Sequence, residues 1–410
     1  MKLRTERSCS SAEAWLIALT LLCLPLFEAP KNVFSILFLI VWILQAVRTR
    51  SLGLSCRFDW CIWSLAAVLW IAPGFSSYGD TINALNSAPR WTLLALFVIA
   101  AGRLNYSRFQ LVIILSGLLL GGIYAVTESF WVWHFNGREY PEFRSVGHVN
   151  HSSMYSLVTL GVGLGALYFR ERWLQLLGVL GVFSTLVFFP ASRSIVGGVA
   201  ILVILTAAGS IEMRNNWSWR GIFLTGAASI VFMSAIIMMP PFEGFRMEIL
   251  SRFTGDNFLS GRGKILNSAL VVWHQNPIFG TGWFSFGPVT SEAAVRAALE
   301  SAGIQYNPNL YLHHNHGHNL WVTVLIERGL VGVTLISTLL FLYFRTFLPN
   351  ALDRDQGDKE DRGVAVGALL VATGFFAAGL GNTTMMNEHG HAGMLFISVA
   401  YGYLRARELL

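Results

Sequence analysis

Charge is scarce in this chain of 410 residues: Asp, Glu, Lys and Arg together make up 13% of it, against about 25% in soluble domains. The apolar set takes 54%, with 14 Trp and 29 Phe, and the mean hydropathy is +0.54. That balance excludes a soluble enzyme, a disordered chain and a fibrous protein, and leaves a membrane protein with several spans. Cysteine is also rare. Cys9, Cys23, Cys56 and Cys61 have no zinc-type spacing, so neither a disulfide framework nor a cysteine-based metal centre is expected. No complete nucleotide loop is present either. GRGK at 261–264 has Phe258 where a P-loop needs its first glycine and Ile265 where it needs Ser or Thr, so nucleotide binding is rejected. No internal repeat or inverted half-to-half symmetry suggests a transporter. Lys2, Arg4 and Arg7 precede an apolar run, but Pro25, Glu28 and Pro30 follow it in place of a small-residue cleavage site, so the first span is expected to be retained.

What the chain has in abundance is apolar stretches of spanning length, about twelve by the length criterion. They centre on 12–28, 33–47, 59–75, 88–102, 109–127, 151–169, 172–189, 194–210, 221–239, 319–345, 363–381 and 391–405. The fourth is short unless it reaches back to Ala88, and the last carries Arg405 at its edge. Runs of this length are too long for barrel strands, so the expected fold is an all-α polytopic membrane protein. With the N-terminus in the cytoplasm and sides alternating, the inner segments hold 18 Lys and Arg, and the outer segments short enough to count hold five. Both termini are then cytoplasmic and the long segment 240–318 is outside. The net charge of +6 is read as this cytoplasmic bias and not as nucleic-acid binding. Three regions follow: helices one to nine over 1–239, an outer loop over 240–318, and helices ten to twelve over 319–410.

The outer loop is where polar residues collect. It opens on Pro240–Pro241, a stop for the ninth helix. Ile265, Leu266, Ala269, Leu270 and Trp273 have helical spacing and Asn276–Pro277 ends that helix, while Ser291–Ala302 reads as a second one. Such helices lie on the bilayer or cap a cavity. Four of the ten histidines, His313, His314, His316 and His318, fall in YLHHNHGHNL, and His389 and His391 lie in the last outer loop. They read as ordinary interfacial polar residues, as ligands of a zinc or copper ion through His316 and His318, or as a general base. No carboxylate or cysteine completes an obvious metal set, and the expectation is no metal. Arg193, at the mouth between two spans, and Arg262, opening the loop helix, read either as snorkelling arginines or as a pair of guanidinium groups holding a diphosphate. Glu327 and Arg328 are adjacent in the tenth span and cannot simply pair with each other; each is expected to meet another helix or a groove. His148, Asn150 and His151 sit where they border the same face.

The stretch from His318 runs His-Asn, nine residues, then GLVGVT at 329–334. This resembles the His-Asn-x9-Gly-x-x-Gly motif of bacterial O-antigen ligases, members of the O-antigen ligase/polymerase superfamily. RSVGHVNHSSMYS (144–156), SRSIVGG (192–198) and GRGKILNSALVVWHQNPIFGTGW (261–283) resemble three further segments of that family in the same order, the first loosely. The resemblance covers about residues 140–345 by motif and the whole chain by topology, with its large periplasmic loop between helices nine and ten. It implies a membrane-embedded glycosyltransferase of type C in the bacterial inner membrane. Such an enzyme moves O-antigen glycan from undecaprenyl diphosphate to a sugar hydroxyl of lipid A–core, on the periplasmic face, with no nucleotide, no metal and no other cofactor. On that resemblance His318 is the base, Arg193 and Arg262 hold the diphosphate, and His313, His314, His316, Asn319, Arg144 and Asn150 line the site. The neighbouring histidines keep the choice of base open. Direct displacement with inversion is implied, without a glycosidase-type carboxylate pair. An O-antigen polymerase or a protein O-oligosaccharyltransferase shares the fold and the donor; a lipid-linked sugar transporter is the more distant alternative.

Overall fold

The computed structural model describes residues 7–76, 81–137, 141–146, 149–185, 261–282, 285–352, 357–385 and 387–410. The eighth and ninth expected spans, the segment 240–260, His148 and Arg193 lie outside the described residues.

Among the described residues the protein is helical, with no β-strand. The helices are α1 (Ser11–Cys23), α2 (Glu28–Thr49), α3 (Asp59–Phe75), α4 (Thr81–Gly102), α5 (Arg108–Asn136), α6 (Val149–Ala166) and α7 (Arg172–Thr185), then α8 (Arg262–Gln275), α9 (Phe286–Val289), α10 (Glu292–Ser301), α11 (Leu320–Leu352), α12 (Lys359–Gly379) and α13 (Asn387–Ala406). Four are long and apolar enough to cross a membrane: α2, α5, α11 and α12.

Local chemistry sets the boundaries. Ser10 and Glu13 form a reciprocal capping box at the start of α1, and Ser107 with Gln110 repeats it at α5. The first helix stops at Cys23, five residues short of the expected 28, because Pro25 follows the last turn and cannot continue the helical bonding. The fourth reaches back to Thr81 and spans 22 residues, about 33 Å at 1.5 Å per residue, while its apolar part remains Ala88–Gly102. Gly137 closes α5 with φ 67°, the left-handed cap that glycine adopts without strain.

At the centre stands α6, packed against α5, α7, α12 and α13. It is buried along nearly its whole length, including Ser152, Ser153, Ser156 and Thr159. In an apolar surrounding such hydroxyls need internal acceptors. Ser153 Oγ donates to Asn150 O at 2.7 Å and Ser156 Oγ to Ser153 O at 2.7 Å, while Thr185 Oγ1 of α7 donates across to Ser156 O at 3.0 Å. Its glycines allow backbone contact: a Cβ on Gly165 would lie 2.6 Å from Gly363 O of α12, the small-residue packing of membrane helices. By contrast α2 leaves Val33, Ile36, Ile40, Leu44 and Val47 exposed while burying Phe38, Leu39 and Trp42. An apolar outward stripe of this kind suits lipid.

Polar contacts gather at the two ends of the bundle, and each joins residues expected on the same side. At the cytoplasmic end in the expected topology, Arg7 pairs with buried Glu13, and Arg103 Nε meets Asp59 at 2.8 Å. At that end too, Arg108 bridges Glu360 and Glu171, and Arg407 holds Asp358 and Asp361. At the outer end, Lys31 Nζ meets Glu388 at 2.5 Å and Ser145 Oγ at 3.3 Å. The outer segment has its own small core of Ile265, Ala269, Val272, Phe286, Val289, Val295 and Leu299, seated on α11 through Ile326. The expected helices appear as α8 and α10. On α8 the buried stripe is Ile265, Ser268, Ala269 and Val272, whereas Leu266 and Leu270 face outward.

Candidate active site at the outer end

The histidine segment is an irregular stretch stretched between two anchors. On its entry side, Ser268 of α8 both donates to Leu312 O at 3.2 Å and accepts from Leu312 N at 3.1 Å, and Asn267 Nδ2 donates to Leu310 O at 3.0 Å. Thr290 Oγ1 donates to His314 O at 3.3 Å. On its exit side Asn319 caps α11: its Oδ1 accepts from Trp321 N at 2.8 Å and Val322 N at 3.2 Å. Its Nδ2 donates to Leu380 O at 2.9 Å. Asn is among the strongest N-cap residues, so the asparagine of the His-Asn pair has a structural account. Thr323 Oγ1 receives Gly317 N at 3.2 Å and reaches Thr383 Oγ1 at 3.3 Å, which ties the segment to the last outer loop.

Between these anchors three imidazoles converge. His314 Nε2 and His318 Nε2 are 3.1 Å apart, and the rings of His316 and His318 are 4.1 Å apart. One ring nitrogen from each of His314, His316 and His318 lies within 4.8 Å of the others. All three are half-buried, while His313 is exposed. The three are spaced two apart, and bends at 315–316 and 318–319 bring their rings together while His313 stays outside. His318 has φ 47°, a left-handed conformation uncommon outside glycine. It is held there between Gly317, whose added Cβ would meet Thr323 Oγ1 at 2.9 Å, and the Asn319 cap.

The cluster extends inward. His151 of α6 stacks on His389 of α13 with centroids 5.5 Å apart, and its ring is 6.0 Å from that of His316. His389 is fully buried, and its Nε2 lies 3.2 Å from Thr383 O. The sequence alone had placed His151 and His389 only on the same face; their approach depends on α6 and α13 packing together. Asn150 is drawn in by Asn382, whose Nδ2 donates to Asn150 O at 3.3 Å. Arg144 is exposed and its ion pair is with Glu128 of α5 at 3.9 Å.

Arg262 opens α8 (14 residues), and a helix N-terminus is a setting that favours anions. A Cβ on the preceding Gly261 would meet Leu312 at 3.0 Å, so this first turn lies against the segment that leads into the histidines.

The remaining motif residues build a joint. Gly329, with φ 60° and ψ −162°, breaks α11 into two helical pieces. A kink there strands backbone groups on both sides, and residues 277–282 take four of them. Thr281 N donates to Ile326 O at 2.8 Å and Gly282 N to Glu327 O at 2.9 Å, while Leu330 N donates to Pro277 O at 2.9 Å and Val331 N to Ile278 O at 3.1 Å. A Cβ on Gly280 would lie 2.5 Å from Arg328 N, and one on Gly332 would lie 2.2 Å from Arg328 Cβ. Glu327 and Arg328 are both buried at this joint, and the Arg328 guanidinium lies over the Trp91 ring of α4, 4.7 Å from its centroid. Arg328 thus meets another helix, through a cation–π contact.

The family model described as O-antigen ligase matches residues 178–337, a stretch that contains Arg193, Arg262, the histidine segment and the glycine joint. The search of curated proteins finds no match. The match brings with it the ligase/polymerase class of glycan-joining activity. Residues 178–337 thus tie the chain to the O-antigen ligase superfamily by similarity, and four of its described helices are long and apolar enough to cross a membrane.

Proposed function

We propose that this protein is an O-antigen ligase of the bacterial inner membrane, with twelve spans, cytoplasmic termini and its site in the periplasmic segment 240–318. It transfers glycan from undecaprenyl diphosphate to a sugar hydroxyl of lipid A–core. The observation that carries this reading is the convergence of His314, His316 and His318, two residues past the Leu312 that packs on the start of α8, within the O-antigen ligase match.

The chemistry needs two things at once. A sugar hydroxyl is a weak nucleophile, so its proton must be taken as the new bond forms. His318, adjacent to the α11 N-cap, is the base. The departing lipid diphosphate gains negative charge, and guanidinium groups stabilise that charge most in the transition state. Arg262 and Arg193 fill this role. The anomeric carbon–oxygen bond to diphosphate breaks as the acceptor oxygen attacks from the opposite side, so the product is inverted. The donor is already activated and the arginines supply the positive charge, so this reading requires neither nucleotide nor metal.

Purified protein mixed with undecaprenyl-diphosphate-linked O-antigen and deep-rough lipid A–core, in EDTA and without nucleotide, should form glycosylated core. His318→Ala, Arg193→Ala and Arg262→Ala should each lose about 10²-fold or more in rate, the scale of one general base or one charge-stabilising donor. Wild-type protein that leaves core untouched but extends a second lipid-linked glycan is a polymerase. One that modifies a protein hydroxyl is an oligosaccharyltransferase. One that moves substrate across proteoliposomes without joining it is a transporter. A covalent glycosyl-enzyme would refute direct displacement.

A further inference from the structure

We propose that His314, His316 and His318 bind a single late divalent transition-metal ion, Zn2+ in the first instance, and that the bound ion takes His318 out of glycan transfer. The second half rests on the assignment of His318 as the base; the first half stands on geometry alone.

Three imidazoles offer ring nitrogens within 4.8 Å of one another. Two nitrogens bound to one tetrahedral zinc at about 2.0–2.1 Å lie about 3.3 Å apart. The His314 and His318 Nε2 atoms, 3.1 Å apart, are already near that spacing, and closing the third demands small side-chain rotations. The backbone carrying them is held before and after by the Ser268–Leu312 pair, the Thr290 hydroxyl and the Asn319 cap. An ion therefore meets ligands whose chain is already ordered.

The donor chemistry selects the ion. Nitrogen ligands suit zinc, copper and nickel and do not suit magnesium or calcium, which want oxygen. Three neutral imidazoles leave the ion its full charge and an open fourth position for water. Coordination exchanges water ligands of the ion for imidazole lone pairs; the proton shared between His314 Nε2 and His318 Nε2 moves to the other nitrogen of its ring, and the metal bonds replace that hydrogen bond. A base whose lone pair is held by metal cannot accept the acceptor hydroxyl's proton, so occupancy and transfer exclude each other.

The test uses the full-length protein in detergent, stripped of metal, with Co2+ as spectroscopic probe and Zn2+ as inhibitor. We expect one equivalent of Co2+ to give a visible absorption band of a low-coordinate nitrogen site, displaced by Zn2+. His314→Ala, His316→Ala and the more conservative His316→Gln should weaken binding at least about tenfold through loss of one of three ligands, while exposed His313→Ala keeps it. Each variant should elute as the wild type does in size exclusion. Micromolar Zn2+ should suppress transfer, and EDTA should restore it. Absence of stoichiometric Co2+ binding, or binding untouched by the His314 and His316 changes, overturns the site. Transfer that EDTA abolishes and Zn2+ restores overturns the inhibitory role. A protein that binds Co2+ as expected but joins no glycan under any condition keeps the site and rejects the function proposed above, so the two failures are distinct.

Discussion

Replacing Gly329 with alanine tests the joint between α11 and residues 277–282. The backbone there has φ 60° and ψ −162°, a region essentially reserved for glycine, and holding an alanine in it costs about 1–3 kcal/mol. Space is the second obstacle, since the new Cβ would lie 2.2 Å from Ile278 O and 2.7 Å from Gly280 N, both backbone atoms. The chain escapes only by separating the two segments. Four backbone bonds are then lost, those of Thr281, Gly282, Leu330 and Val331. A straightened α11 recovers two, because Leu330 N and Val331 N return to Ile326 O and Glu327 O in the i to i−4 pattern. Straightening relieves the backbone strain, so the cost is the net loss of two bonds, and the variant should be destabilised by about 1–3 kcal/mol. Because residues 277–282 join the end of α8 to the chain that leads to the histidine segment, transfer should fall by about 10²-fold, as for a 1 Å misplacement of catalytic groups. Thermal melting of the detergent-solubilised protein and the ligation assay measure the two effects. An alanine variant with unchanged melting and unchanged transfer would refute the account of the glycine and of the kink.

Asn319→Ala removes the α11 cap and the bond to Leu380, and should cost about 0.5–2 kcal/mol. Asn319→Asp keeps the capping acceptor while losing the donor to Leu380, and should fall between wild type and alanine in the same melting experiment. Phe286→Ala opens the small outer core beside Gly317 and should cost about 3–5 kcal/mol, read as faster proteolysis within 261–318 at unchanged membrane insertion. The topology is checked by cysteine labelling. All four native cysteines are buried, so the background is low. Asn309→Cys should react with a membrane-impermeant maleimide in intact spheroplasts, and Lys359→Cys only after permeabilisation; the reverse pattern would invert the protein.

Much of this architecture is written in composition and spacing, and the parts that are not have identifiable reasons. Apolar run length marks the helices, since a bilayer allows no other use for such runs, and proline marks the stop of α1 once its position two residues past Cys23 is weighed. The inward face of α8 was harder to read. Leu266 and Leu270 look like core, yet Ser268 takes the buried stripe because its hydroxyl holds both backbone groups of Leu312. Hydropathy does not register a residue that is buried for its hydrogen bonds. His151 and His389 were legible as outer-face histidines and not as neighbours of His316, because more than 200 residues separate the two in sequence and only the packing of α6 on α13 unites them.

The motif from His318 to Gly332 divides by physical role in a way that its letters conceal. Asn319 is a helix cap, Gly329 a backbone conformation, and Gly332 a vacancy that lets Arg328 pass toward Trp91. None of these needs to touch a substrate to be required. Gly280 and Gly282 belong to the same joint, since the first lies against Arg328 N and the second donates to Glu327 O. Two stretches that resemble one family separately are thus one structural unit, closed by four backbone bonds. Substitutions at Gly280 and Gly329 should therefore be non-additive: once either has parted the segments, the other has little left to break. The double variant should melt close to the worse single variant, and a sum of the two losses would show that the joint acts as two independent sites.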